Sequence, residues 1–423
     1  MLHVPPRLRP GKRIPFLPRD LGEVTTARPE REVDPRSVGL TDDGPESIWR
    51  AVERLYATGL YPAIALCVRR HGEVILDRAI GHARGNAPFD EDGAERVLAT
   101  PETPYCLFSA SKAVTAMVIH LLDDRGALHV GDRVMEYIPE FGVNGKEKVT
   151  IRHLLAHRAG IPFVRAEAEE LSVLSDREEI CRRFCEATLD HEPGRRLSYH
   201  ALTGGFVLAE IVYRVTGSDI RSFMRTEIQE PLGLDLFNYG IAPERVHEVA
   251  VGAFTGPRPP FPVSMIADRA LGMSFPVAAE MANEPAYLEA IVPSGNIVAT
   301  PDATCRFFDL LRRGGAEGEV RIFEPRTVHR ATAETAYHEV DFTLGLPIRY
   351  GVGFMLGARQ ISPFGPDSPE AFGHLGLMNI HCWADPARAM SAALITTGKP
   401  LVAEHLPKLW TVLGRINRRC TRV

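Results

Sequence analysis

The chain is short of lysine: its 423 residues hold six, so most of its 49 basic side chains are arginine. Those basic residues are scattered and the net charge is −5, which excludes the basic footprint of a nucleic-acid binder. No apolar run approaches the roughly 18 residues that a membrane-spanning helix needs, so no membrane partner is expected. The seven cysteines are odd in number and widely spaced, against a disulfide framework. Cys181 and Cys185 can share a helix face, but no further Cys or His completes a zinc set there, and packing is their expected role. His153 and His157 stand four apart without the acidic residue of a His-Glu-x-x-His motif, so no metal is expected. No Gly-x-Ser-x-Gly elbow occurs, against an α/β-hydrolase. No Gly-x-Gly-x-x-Gly or Walker loop occurs, and no nucleotide or other cofactor is implied. Met1 to Asp20 carries five prolines but no apolar core of a secretory signal, so a cytoplasmic location is expected.

What remains is an ordinary globular composition, 45% hydrophobic and 24% charged, long enough to bury a sizeable core in one large or two medium domains. Residues 1 to about 45, rich in Pro, Arg and Asp, read as an arm lying on the surface or partly disordered. An amphipathic helix follows at 48–58, then a hairpin of strands at 64–68 and 74–76 around His71-Gly72. Residues 81–103 read as loop. Ser109 to Asp124 is a helix with Val114, Met117, Val118, Leu121 and Leu122 on its buried face, stopped by Gly126. A second helix covers 149–156, with Gly160-Ile161-Pro162 as its stop. Residues 165–240 are helical but irregular, with a strong helix at 203–215. Residues 240–290 hold many Pro, Gly and Met and read as long loops, the walls of a pocket. A helix is expected at 303–313, two strands at 378–384 and 390–397, and a closing helix at 406–416. Strands near both ends and helices between them predict an α+β fold built from both termini around a mainly helical insertion. The expected division is an arm at 1–45, an α/β domain from 46–125 with 290–423, and a helical domain at 126–289.

Ser109 and Lys112 form the one Ser-x-x-Lys of the chain. A serine hydroxyl needs a base within hydrogen-bond reach to become a nucleophile, and residues three apart share a helix face. About 0.2 such matches are expected by chance from this composition, so the context decides. The context includes Pro193-Gly194-Arg195-Arg196-Leu197-Ser198-Tyr199-His200-Ala201, a turn leading to a helix, and Phe372-Gly373-His374-Leu375-Gly376-Leu377 before a strand. It also includes Thr150 to Pro162, Glu230-Pro231-Leu232-Gly233-Leu234, and Pro293-Ser294-Gly295-Asn296-Ile297-Val298-Ala299-Thr300.

In this order and spacing the chain resembles the serine β-lactamase and penicillin-binding-protein superfamily over residues 46–420. The likeness is to its class C-like branch, which includes family VIII carboxylesterases. The resemblance implies a β-lactamase-like fold, an antiparallel sheet flanked by helices. It matches Ser109 and Lys112 to the Ser-x-x-Lys, Tyr199 to the tyrosine of the second motif, and His374-Leu375-Gly376 to the Lys-Thr-Gly element in its His-x-Gly form. Ser109 is then the nucleophile. The proton acceptor is either a neutral Lys112 or a deprotonated Tyr199 beside a charged lysine. The oxyanion hole is the backbone N–H of Ser109 together with that of Leu377.

Two departures shape the expected substrate, which meets His374, Gly376 and Ala201. Ala201 stands where the family has Asn or Ser, and a methyl cannot hydrogen-bond a substrate amide. His374 replaces a lysine, and histidine is largely neutral near pH 7, so a fixed charge for a β-lactam carboxylate is missing. The expectation is a serine carboxylesterase acting on small or medium acyl esters. The alternatives are an acyltransferase to a natural-product alcohol or amine, a β-lactamase or D-amino-acid amidase, and a catalytically silent binding protein.

Overall fold

The structure is a computed structural model that describes residues 11–161 and 171–423. Residues 1–10 of the arm, and Pro162 with the start of the irregular helical stretch, lie outside the described residues.

An antiparallel sheet is the frame, in the order β1-β3-β2-β15-β14-β13-β12-β11-β10. Its N-terminal strands are β1 (Thr25–Ala27), β2 (Ala63–Arg70) and β3 (Glu73–Arg84), with the short β4 (Val97–Leu98) paired to β3. A second, three-stranded sheet holds β5 (Tyr105–Cys106), β7 (Ile297–Ala299) and β6 (Phe237–Tyr239). A two-residue hairpin, β8 (Ala316–Glu317) and β9 (Val320–Arg321), precedes the C-terminal strands. These are β10 (Ala336–Asp341), β11 (Leu346–Tyr350), β12 (Met355–Leu356), β13 (Phe372–Gly376), β14 (Ile380–Asp385) and β15 (Met390–Thr396). β15 pairs with β2, Thr396 opposite Ile64, which joins the two ends of the chain in one sheet as the α+β reading expected.

Helices cover both faces. α1 (Gly44–Tyr56) buries Ile48, Val52, Leu55 and Tyr56 in one core cluster, and the closing helix buries Leu409, Val412, Leu413 and Ile416 in the same cluster. The central helix α2 (Ser111–Asp124) is buried on nearly all sides, its polar Ser111, Lys112, Thr115 and His120 included. The middle of the chain supplies α3 (Ile151–Leu155), α4 (Arg177–Glu186), α5 (Thr203–Thr216) and α6 (Ile220–Met224). Then come α7 (Val263–Leu271), α8 (Phe275–Met281), α9 (Pro285–Glu289), α10 (Pro301–Arg312), α11 (Pro325–Thr332) and the closing α12 (His405–Arg419).

Four expectations need correcting. The arm is built into the fold: β1 pairs with β3, and Ile14, Val24, Val38 and Leu40 are buried. β3 continues to Arg84, into the expected loop. Residues 240–290 hold three helices rather than loops alone, because their prolines sit at helix starts. Pro fixes φ and lacks an N–H that a first helical turn does not use. Residues 372–376 are themselves a strand, and its turn to β14 is Leu377-Met378-Asn379. Trp383, Phe354 and Tyr350 are buried in the core.

Candidate active site

Ser109 lies where β5 turns into α2. The chain makes the corner at Phe108, whose φ of 48° is left-handed, a conformation that costs a bulky residue about 1–3 kcal/mol. A single 3-10 turn, Phe108–Ala110, then runs straight into the helix. The Ser109 N–H therefore belongs to the first turn, where backbone donors lack intrahelical acceptors. Ser109 is half-buried between buried neighbours.

One turn on, the Lys112 amine is enclosed. Its Nζ is 3.1 Å from Ser109 Oγ, 2.7 Å from the Ala201 carbonyl and 3.0 Å from the Ser294 carbonyl. Ser294 comes this close because α5 carries Gly205, where a Cβ would lie 2.1 Å from Ser294 Oγ. Burial holds the amine well below its usual pKa, and no carboxylate acts against that. The two carbonyls accept only. A neutral amine has two N–H bonds for them and one lone pair left, and Ser109 is the remaining partner.

Tyr199 lies across this amine, its ring centroid 4.9 Å from Lys112 Nζ. Asp341, at the end of β10, holds the tyrosine in place. Its Oδ1 accepts the N–H groups of Tyr199 at 3.1 Å, Thr343 at 2.9 Å and Leu344 at 3.0 Å. Burial raises the tyrosine pKa, the Asp341 charge adds to the rise, and the Ser109 hydroxyl works the other way. Tyr199 therefore stays protonated near pH 7.

Three buried histidines surround the pair. The His157 ring is 4.7 Å from that of Tyr199 and 5.6 Å from that of His200, and its Nδ1 accepts the His200 N–H at 3.2 Å. His374 on β13 donates from Nδ1 to the Leu375 carbonyl at 2.7 Å, which leaves Nε2 unprotonated. Burial lowers His157 far below its usual pKa and brings His200 and His374 to about 3. All three are neutral near pH 7. Behind Lys112, a cavity of about 30 Å³ is lined by Thr115, His157, His200 and Ser294.

On the other side of Ser109, β13 brings up its end. At Gly376 a Cβ would lie 2.1 Å from the Leu107 carbonyl, so only glycine lets the strand approach the nucleophile turn this closely. Leu377 and Met378 follow with φ of 32° and 71°, a left-handed turn at the mouth of the hairpin. The apolar cluster of Phe254, Phe275, Ala279 and Leu401 packs beside Leu377, which brings the 250–280 segment to the site as expected.

The fold thus brings Ser109, Lys112 and Tyr199 together, with β13 alongside. Ala201 contributes its carbonyl to the lysine, and His374 lies buried near the Tyr199 ring, 6.3 Å between centroids. Ser111 is a spacer, its hydroxyl accepting the Ile297 N–H at 3.0 Å. His153 and His157 do not share a helix face, because α3 ends at Leu155 and His157 is left-handed at φ 56°. No group of His, Cys, Asp and Glu able to hold a metal occurs among the described residues. All seven cysteines are free and buried. No helix among the described residues is long and apolar enough to cross a membrane. The sequence reading missed Asp341, His200 and the Ser294 carbonyl. Only the Asp-x-x-x-Gly turn at 341–345 hints at the first, and nothing local ties it to Tyr199.

Residues 49–413 match the Beta-lactamase family, and the chain belongs to it. The esterase/beta-lactamase LipL of Mycobacterium tuberculosis is 31% identical over 376 residues, 85% of this chain and 82% of that protein. A penicillin-binding protein homologue from Caulobacter crescentus superposes with TM-score 0.74 at 27% identity, over 89% of this chain and 98% of that one. A family VIII carboxylesterase has the same fold, with TM-score 0.75 at 24% identity over 90% and 99% of the two chains. The protein is a serine hydrolase of the β-lactamase and penicillin-binding-protein superfamily.

Proposed function

We propose that this member of the Beta-lactamase family is a carboxylesterase acting on small or medium acyl esters without an anionic group, through an acyl-enzyme on Ser109. The observation that carries the reading is the enclosed Lys112 amine, hydrogen-bonded to Ser109 Oγ and otherwise held by two carbonyls. As Oγ attacks the ester carbon, its proton passes to the Lys112 lone pair. The carbonyl oxygen becomes an oxyanion facing the N–H groups of Ser109 and Leu377. Collapse breaks the bond to the alcohol oxygen, which takes a proton from Lys112 by way of the Tyr199 hydroxyl. Water then attacks the acyl-enzyme, losing its proton along the same path and returning the hydroxyl to Ser109. Tyr199 is a relay here and Lys112 the base, since burial and Asp341 keep the phenol protonated.

The choice of ester over β-lactam rests on charge. The buried His374 is neutral and position 201 has no side-chain amide, so the substrate carboxylate of a β-lactam or a D-Ala-D-Ala peptide lacks a partner there. The test is hydrolysis of p-nitrophenyl acetate, butyrate and octanoate beside a chromogenic cephalosporin, by the native enzyme and Ser109→Ala. Ester turnover lost in the variant, with little cephalosporin cleavage, is the expected result. Fast Ser109-dependent cephalosporin cleavage would overturn the substrate reading. A burst of one equivalent without turnover would replace hydrolysis by acyl transfer to a specific acceptor.

A further inference from the structure

The mechanism above leaves a second buried amine unused, at the nucleophile turn. Lys399 follows β15 and is 1% exposed. Its backbone N–H bonds to the Ala253 carbonyl at 2.8 Å, which fixes the root of the side chain. The Nζ donates to the Thr396 carbonyl at 2.6 Å and stands 5.0 Å from the centroid of the Phe108 ring. Thr396 Oγ1 in turn donates to the Asn379 carbonyl at 3.0 Å.

Phe108 is the residue before Ser109, and Asn379 is two residues past Leu377. The amine therefore connects the two turns that present the oxyanion donors. Both turns are left-handed at non-glycine residues, Phe108 on one side and Leu377-Met378 on the other. Such backbone persists only where the surroundings over-determine it. We propose that the Lys399 ammonium is a positioning residue for the oxyanion hole. It holds the Phe108 ring by its charge and ties, through Thr396, to the Leu377-Met378-Asn379 turn, so that the two donors keep one spacing. The inference rests on the Ser109 reading given above.

The charge carries this role, because the ring face attracts a cation much more strongly than the weak N–H···π contact of a neutral amine. The groups that act on Lys399 from the packed elements are the Cys106 thiol at the end of β5 and the Cys382 thiol on β14. His381 on β14 also feels the amine, and burial lowers that ring to about 4. Burial lowers Lys399 itself to about 7. Lys112 must be neutral to act and Lys399 must be charged. Activity then rises as Lys112 loses its proton and falls as Lys399 loses its own. Stability moves the other way on the alkaline side. Above pH 7 and up to the usual lysine value, the unfolded chain binds a proton at Lys399 that the folded chain does not. The Lys399 contribution to stability therefore increases with pH over that window.

The experiment measures kcat and KM for p-nitrophenyl butyrate from about pH 5.5 to 9.5, with thermal melts at each pH, for native enzyme, Lys399→Met, Lys399→Arg and Thr396→Val. Expected for the native enzyme is a kcat that falls above about pH 7 with no loss of melting temperature. Lys399→Met should lower kcat at neutral pH by about 10- to 100-fold, with KM within about twofold and no alkaline limb. Lys399→Arg should move the alkaline limb beyond the range, since a guanidinium stays charged. Thr396→Val, which keeps the amine but cuts its tie to Asn379, should lower kcat and keep the alkaline limb. A flat native kcat above neutral pH would overturn the proposal even if no variant folds. An unaltered limb in a folded Lys399→Met would do the same. Turnover that survives in Ser109→Ala would instead sink the Ser109 reading, and the two failures are distinct.

Discussion

Two buried polar clusters in this molecule are built on opposite rules. Where β2 and β3 meet α10, Arg31 bridges Asp77 at 3.0 Å and Asp302 at 2.7 Å, and Arg69 reaches Asp302 at 2.7 Å. Around Ser109, the side chains of Lys112, His157, His200, His374 and Tyr199 meet, and none of these side chains forms an ion pair with an acid among the described residues; the one carboxylate in contact meets this group only at the backbone N–H of Tyr199. The nearest carboxylate, Asp341, spends one oxygen on three backbone N–H groups. In the first cluster burial works to raise Asp302, yet Arg69 and Arg31 hold it below its usual value. In the second, burial dominates and every base is pushed toward its neutral form. Pairing with two arginines fixes the charge on Asp302. Leaving bases unpaired in a buried site keeps a lone pair available at neutral pH, which is the condition for taking a proton from serine.

The largest break in the comparison comes from removing the base. Lys112→Met keeps the volume and the burial but has no lone pair for the serine proton, so kcat/KM for p-nitrophenyl butyrate should fall by about 10³-fold or more. Retention of turnover within tenfold would transfer the role to another group. A smaller break imports the rule of the first cluster into the second. His200→Glu puts a carboxylate into the cavity behind Lys112, where an opposite charge favours the ammonium. The acid limb of kcat/KM should then shift to higher pH, with activity near pH 7 down about 10²-fold and partly recovered on raising the pH. A limb that stays where it was would show that Lys112 is not the group titrating.

The neutral cluster was half legible in the sequence, and the reason is distance along the chain. Ser109 and Lys112 meet through helix geometry alone, so their spacing sufficed. Tyr199 was found by the pattern around it. Asp341 reaches Tyr199 through a contact between residues 142 apart, which no local signal encodes. The sheet was legible at β2, β3, β14 and β15, whose runs are apolar. It was not legible at β10, whose inner residues Tyr337, His338 and Val340 face outward or nearly so. Nor was it at β13, where two glycines lower strand propensity because backbone approaches at 2.1 Å leave no room for a Cβ. The helices α8 and α9 were hidden by their own N-terminal prolines, read as loop residues.

The smallest effect on chemistry, and the sharpest on stability, is expected at the paired cluster. Asp302→Asn removes the carboxylate that Arg31 and Arg69 share, and breaking this partly buried network should cost about 1–3 kcal/mol of stability. kcat of the folded enzyme should not change, because no atom of this cluster touches the site. The loss should also depend on pH. Burial and the Asp302 charge raise Asp77 to about 7 in the native protein. Between the usual aspartate value and pH 7, the folded chain thus holds a proton that the unfolded chain has lost, so the Asp77 contribution falls as pH rises. Burial is the larger cause of the rise, so without the Asp302 charge Asp77 titrates lower and part of that fall disappears. The gap between native and variant in urea unfolding should therefore be widest near pH 5 and narrower at pH 8. A gap independent of pH would mean that Asp302 does not set the Asp77 proton. A drop in kcat of the folded variant would mean that the two clusters are coupled after all, and that the separation between paired charge and neutral base is not complete.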